Sequence, residues 1–181
     1  MINASIKKRE NIAEYLLYMW QIEDLIRANN LDIDKIQESI IDKYTDLSDQ
    51  QRKEMREWYE SLIDMMRREG VAESGHLQIN KNVILALNDL NQRLLNDSKF
   101  ASYSAQYYHT LPIIVELRAK AGDNKKGEIE TCFDALYGIL LLRLQGKEIS
   151  EETLQAASQI SKFLAVLSMY YKKDFNNELE L

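Results

Sequence analysis

Residues that interrupt helices are scarce in this sequence, which has one proline and six glycines among 181 residues. Proline removes a backbone donor and glycine adds conformational entropy, so folds with many tight turns need more of both. Apolar side chains recur instead at steps of three and four residues, the period of an amphipathic helix. The sequence therefore predicts an all-α protein with long helices rather than a β-sandwich.

Seven helices can be placed from their apolar stripes and caps. The first has a stripe through Ile12, Met19 and Ile26, widened by Trp20, so we expect it to be buried on more than one side. Ser48 has the spacing of a capping box at the start of the third helix. The predicted helices cover 5–29, 32–44, 48–70 including the caps, 77–95, 98–120, 128–145 and 150–171.

Two of these helices have distinctive features. Pro112 lies inside the fifth helix, where it clashes with the carbonyl of Tyr108, so a kink or break near Thr110 is expected. The sixth helix is apolar on all sides from Ala135 to Leu142, which is typical of a helix enclosed by others. We therefore expect a single helical bundle with a kinked fifth helix and a central sixth helix.

The length suits one domain over residues 1–181. The polar stretch 70–76 is the clearest linker and divides possible sub-lobes 1–70 and 76–175. Independent domains are not expected, because three helices with this much apolar surface need packing partners. A polar loop is predicted at 122–127 and a frayed tail at 176–181.

The charge of the chain argues against two classes of partner. The net charge is −6 and the acidic and basic residues are spread along the chain, which disfavours binding to nucleic acid and to anionic membranes. No apolar segment is long enough to span a bilayer, and the N-terminus lacks the apolar stretch of a signal peptide. A single cysteine, Cys132, fits a reducing compartment, so a cytoplasmic location is predicted.

The sequence has no motif for metal, nucleotide or covalent catalysis. A di-metal site in a bundle requires Glu-x-x-His pairs on two helices, whereas the one such pair in this sequence, Glu73 and His76, lies in the polar stretch 70–76, and His109 has none. No glycine-rich phosphate loop is present, and Cys132 has the setting of a small buried apolar residue. We therefore predict no catalytic residue, no metal ligand and no cofactor.

Charged residues next to apolar stripes are the strongest signs of a possible ligand site. If Glu23, Glu116 or Arg143 is buried, it must pair with another group or meet a ligand, because an unpaired buried charge is costly. The simpler interpretation is snorkelling at helix ends or a structural ion pair. The alternative is a polar pocket near Pro112, whose candidate ligand-binding residues are Trp20, Glu23, Tyr107, His109, Glu116, Tyr137 and Arg143.

Adjacent tyrosines point to a surface that contacts protein. Tyr107 and Tyr108 cannot both face inward from one helix, so one of them is expected to meet solvent or a second subunit. The first functional hypothesis is therefore a non-enzymatic helical protein that binds a protein partner, most simply itself as a homo-oligomer. The second is a bundle that binds a small molecule or catalyses a reaction in the pocket near Pro112.

Three segments resemble a known family. These are Glu14–Arg27, His109–Arg118 and Gly138–Ser150, and they are similar to a family of bacterial proteins of about 180 residues catalogued as a domain of unknown function. The resemblance implies a stand-alone helical protein. It implies no activity and no site residues.

Overall fold

The computed structural model describes residues 2–121 and 126–179. Within these ranges the chain forms eight α-helices and two short 3-10 turns, without a β-strand, so the all-α prediction is confirmed. Residues 122–125 of the predicted polar loop and the last two of the predicted frayed tail lie outside the described residues. The helices are α1 (Ile2–Glu10), α2 (Ile12–Ala28), α3 (Ile33–Ser39), α4 (Asp49–Arg68), α5 (Gln78–Asn96), α6 (Ala101–Lys120), α7 (Glu128–Leu144) and α8 (Glu151–Phe175), and the 3-10 turns are Ile41–Lys43 and Ser98–Phe100.

The first predicted helix is divided in two at Asn11. The side-chain oxygen of Asn11 accepts a hydrogen bond from the Ala13 backbone N–H at 3.1 Å, a local bond that competes with continuous helix. The predicted capping box at the start of α4 is confirmed, and α8 also begins with a serine cap. Ser48 forms the full capping box with Gln51, and Ser150 accepts from a backbone N–H of the first turn of α8.

The chain divides into two compact units. The first contains residues up to Lys8 together with Glu14–Asn82, and the second contains Arg9–Ala13 and the described residues from Val83 onward. The division therefore falls inside α5 and not in the stretch 70–76. A single domain over 1–181 stays a prediction.

In the first unit, α3 packs on the turn Ile41–Lys43 and on α4. Helix α2 is buried on a broad face, as predicted. On α4 the apolar repeat predicts an inward stripe of Met55, Trp58, Leu62 and Met65 or Met66. Leu62 and Met66 are buried as predicted, but Tyr59 is buried in place of Trp58, which is half-exposed. The buried apolar residues of this unit include Tyr15, Leu16, Met19, Trp20, Ile26, Ile36, Ile41, Tyr59, Leu62, Ile63, Met66 and Leu77.

In the second unit, α6, α7 and α8 pack on one another in all three pairs. Phe163 of α8 is fully buried, and its ring centroid lies 5.9 Å from those of Tyr103 and Tyr107 on α6. Aromatic pairs at this separation add to the stability that comes from burying the rings. The core of the unit also contains Ile114, Ile129, Cys132, Phe133, Tyr137, Ile160, Leu164 and Leu167.

Two expectations about these helices need revision. Helix α6 continues through Pro112 from Ala101 to Lys120, so no break occurs there, and the kink stays a prediction. Helix α7 is buried over its first half, but its residues from Gly138 onward are half-exposed or exposed, and Leu144 is 72% exposed. The prediction of a central helix is wrong for this half, because its apolar side chains point in all directions and only part of them is covered.

Candidate functional site

A buried carboxylate forms the centre of a polar cluster in the first unit. Glu23 of α2 is 1% exposed. It accepts hydrogen bonds from the Leu77 backbone N–H at 2.9 Å and from Asn80 Nδ2 at 2.6 Å. Its other oxygen lies 2.6 Å from His76 Nδ1, and the His76 ring stacks on the Trp20 ring with centroids 4.2 Å apart. We call Trp20, Glu23, His76 and Asn80 the Glu23 cluster.

Two carboxylates from other parts of the chain cap the start of α5. The residue before the helix, Leu77, has no side-chain oxygen with which to cap it. Glu23 accepts from the Leu77 N–H instead, and Glu69 accepts from the Gln78 N–H at 2.6 Å. Because the N-terminus of a helix carries partial positive charge, both carboxylates are well placed electrostatically.

The stretch 70–76, predicted to be a linker, is held against α2. Arg27 Nη2 donates to the carbonyl of Val71 at 3.1 Å and also to the carbonyl of Gly75, while Nη1 bonds Asp24 at 2.8 Å. Gly75 has a φ of +88°, which is readily reached only without a side chain. Glu23 and Arg27 lie one turn apart on α2, so one helix face fixes both ends of this stretch.

The Glu23 cluster has the geometry of a structural contact that holds the end of the stretch 70–76 against α2. A histidine held by a carboxylate can act as a general base when a reacting group lies within reach of its other nitrogen. In residues 2–121 and 126–179, however, the hydrogen-bond and ring contacts of His76 are with Glu23 and Trp20, and no hydroxyl or thiol bonds its other nitrogen. The carboxylate is satisfied by donors from the chain itself, so the cluster supports the simpler interpretation of a buried charge as a structural pair.

Sequence reasoning selected Trp20 and Glu23 but missed His76 and Asn80. His76 lies in the predicted linker, where nothing local indicates a partner 53 residues away. Asn80 could have been found, because it precedes Ile84 and Leu87 at helical spacing on the buried face of α5. The apolar repeat of this helix, which is Ile79, Val83, Leu87, Leu90 and Leu94, predicts that Ile79 lies on the same face, but that residue is 37% exposed.

The remaining predicted ligand-binding residues lie in the second unit, and two of them are buried tyrosines. Tyr107 is 7% exposed and its hydroxyl donates to Glu128 Oε2 at 2.6 Å. Burial, together with the neighbouring carboxylate of Glu128, raises the pKa of Tyr107. Tyr137 is 9% exposed on α7. Both tyrosines are therefore part of the packed interior of this unit.

The three charged or basic candidates of the second unit are exposed. His109 and Glu116 lie on the outer side of α6, and Glu116 forms an ion pair with Lys120 at 2.6 Å. Arg143 lines a different feature, a surface groove of about 380 Å³ between α7 and α8. The structure therefore does not gather these residues beside Pro112, and ligand binding by them stays a prediction. The groove is lined by Leu136, Ile139, Leu140, Arg143, Leu154, Ala157, Ser158 and Ser161.

An exposed apolar stripe runs along the outer face of α6. Its members follow one another at steps of four and three residues, the heptad spacing of paired helices, and all are exposed. Tyr108 is 61% exposed and Val115 is 54% exposed. The prediction that one of Tyr107 and Tyr108 faces outward is thus confirmed. We call this set the α6 stripe: Ala101, Ala105, Tyr108, Pro112, Val115 and Ala119.

Two structural searches of the described residues gave negative results. Between residues 2 and 179, with 122–125 left aside, no three His, Cys, Asp or Glu side chains are grouped so that they could hold a metal ion. None of the helices in the same ranges combines the length and the apolar character needed to cross a membrane.

The thiol of Cys132 should be unreactive in the native protein. Cys132 is fully buried on α7, and burial raises the pKa of its thiol to about 12. The buried thiol is then protonated at pH 8 and inaccessible, so an aromatic disulfide reagent should label the protein only after unfolding. Absorbance of the released thiolate, with and without urea, measures this. Full labelling of the folded protein within minutes would contradict the buried position.

Comparison with known proteins assigns the chain to a family. The chain is an all-helical protein with a loop hydrogen-bonded to α2 in one unit and an exposed apolar helix face in the other. It belongs to the family described as a domain of unknown function, DUF4924, whose model matches residues 1–178. The resemblance to an uncharacterised family is therefore confirmed, over nearly the whole chain. No curated protein and no solved structure matches it significantly.

Proposed function

We propose that this protein is a non-enzymatic helical protein that acts through protein–protein contacts, the first of them with a second copy of itself. The α6 stripe is the observation that carries the proposal. Apolar side chains at heptad spacing are normally buried in a helix pair, and here all six are exposed. An apolar face of this kind on a soluble helix is typical of an interaction site.

The composition of the stripe suits a helix partner. Three alanines allow close approach of a second backbone, and Tyr108 and Val115 provide most of the apolar area. The Tyr108 ring makes an edge contact with the ring of Tyr107 at 5.2 Å, and Tyr107 is itself buried and hydrogen-bonded. Tyr108 is therefore supported before any partner binds, which lowers the entropic cost of binding.

The proposal extends to location and source. A cytoplasmic compartment is supported by the single, buried thiol of Cys132, because proteins of oxidising compartments commonly carry disulfides. The family resemblance is the sole support for a bacterial source. The alternative function, a small-molecule pocket beside Pro112, has less support, since Glu116 is exposed and paired with Lys120.

Self-association should be weak and should depend on Tyr108. One helix pair buries less than a standard interface, so we expect a dissociation constant on the order of ten micromolar. Tyr108→Ala should raise it about tenfold or more, because a central aromatic side chain dominates such contacts. Sedimentation velocity over a concentration series measures both values.

Tyr44→Ala is the matched control for this experiment. Tyr44 is 47% exposed but lies outside the α6 stripe, so its replacement should leave the dissociation constant unchanged. A wild-type protein that stays monomeric at the highest concentration would overturn the proposal. Equal effects of the two tyrosine replacements would overturn the role of the stripe.

A further inference from the structure

We infer that the second copy lies antiparallel on the α6 stripe, so that Tyr108 of each copy covers Pro112 of the other. The inference rests on the proposed self-association and adds the identity of the contacts. It is carried by the order of large and small side chains along the stripe. That order matches itself when one copy of the helix is reversed.

A two-fold axis between Tyr108 and Pro112 generates three kinds of layer, where a layer is a pair of residues, one from each copy, that face each other across the helix pair. In an isologous antiparallel pair, a residue before the axis meets the residue equally far beyond it on the other copy. Tyr108 then meets the partner's Pro112, Ala105 meets the partner's Val115, and Ala101 meets the partner's Ala119. Each larger side chain of the stripe therefore faces a smaller one, as close packing requires.

A parallel pair lacks this match. Each residue would then face its own counterpart, so that the two Tyr108 rings meet in one layer and two Ala105 methyl groups in the next. Such a sequence of layers leaves voids beside a crowded centre, and voids are destabilising. The parallel arrangement also aligns two helix dipoles side by side, whereas the antiparallel one opposes them.

The flanks of the stripe are compatible with the antiparallel arrangement. In an antiparallel pair, flanking residues on the same side of the stripe come together. Glu116, which follows Val115, is therefore next to the partner's Ser102, which follows Ala101, and Arg118, which precedes Ala119, is next to the partner's Ser104, which precedes Ala105. No like charges are brought together by these pairs. Like charges at flanking positions are what usually exclude an orientation of paired helices.

Disulfide trapping can distinguish the two orientations. Two single-cysteine proteins, Ala105→Cys and Val115→Cys, are made with Cys132→Ser in both, mixed in equal amounts and oxidised mildly. The antiparallel arrangement places the thiol of the first protein in the same layer as the thiol of the second, because Ala105 of one copy faces Val115 of the other. The mixed disulfide should therefore form at least about tenfold faster than either homodimer disulfide, because only this pair is held at high effective concentration.

Intact mass identifies the products, because the two chains differ in mass. The control mixture replaces Val115→Cys with Ala165→Cys, at an exposed position of α8 outside the stripe, and should give no preferred mixed product. Rapid self-linking of Ala105→Cys would overturn the antiparallel orientation in favour of a parallel pair. Equal rates for all pairs, in a protein that sediments as a dimer, would place the contact elsewhere. A monomer in sedimentation would remove the proposed function itself.

Discussion

Replacing Glu23 with alanine should lower the free energy of unfolding by about 3–5 kcal/mol, the usual cost of removing one partner from a buried, hydrogen-bonded charge. The replacement leaves the Leu77 N–H and the Asn80 amide without their acceptor, and both are buried. It also removes the group that holds His76 in place. Urea denaturation followed by circular dichroism measures the change.

Two further variants separate the carboxylate from the rest of the side chain. Glu23→Gln keeps the shape and one acceptor oxygen, so its loss should be smaller, about 1–2 kcal/mol. Glu38→Ala removes an exposed glutamate from α3 and should change stability by less than about 0.5 kcal/mol. A loss for Glu23→Ala as small as that for Glu38→Ala would show that the cluster does not hold the loop.

Helix α5 illustrates what a local pattern can and cannot reveal. Its buried face passes through Asn80, Ile84, Leu87, Asn91 and Leu94, which keeps helical spacing. A prediction from apolar residues alone starts this face at Ile79, one residue before the buried Asn80. The two asparagines bond groups outside α5, Asn80 through its amide N–H to Glu23 and Asn91 through its amide oxygen to Tyr103, and periodicity within one helix carries no information about those groups.

The Glu23 cluster was predictable in part. A charge beside the stripe of α2 must pair if it is buried, and this reasoning selected Glu23, which is buried and hydrogen-bonded. The partner could not be predicted, because His76 reaches Glu23 through the path of the stretch 70–76. That path depends on Arg27 and on the left-handed backbone of Gly75, which are tertiary and conformational effects.

The second half of α7 and the α6 stripe show a different limit, because there apolar side chains are left partly or fully exposed. Apolar composition predicted burial for the second half of α7, but composition does not tell how many neighbours a helix has. On α6, the heptad spacing of three alanines was overlooked, because alanine is common on exposed helix faces for its helix propensity alone. In both cases the missing information is which surfaces the fold leaves uncovered.

Removal of the Phe163 ring should destabilise the second unit by about 3–5 kcal/mol, the range for an aromatic core residue replaced by alanine. Phe163 is fully buried, and its ring contacts the rings of Tyr103 and Tyr107. Its loss therefore creates a cavity beneath both tyrosines. Phe163→Leu fills part of that cavity and should cost less, about 1–2 kcal/mol. Thermal and urea unfolding measure both variants.

The same helix supplies a matched control. Phe175 ends α8 with 68% of its side chain exposed, so Phe175→Ala should change stability by less than about 0.5 kcal/mol. Equal losses at the two positions would contradict the packing of α8 on α6.

Phe163→Ala also tests the α6 stripe, because Tyr107 supports Tyr108 through their edge contact. If that support matters, Phe163→Ala should weaken self-association as well as folding, whereas Phe175→Ala should change neither.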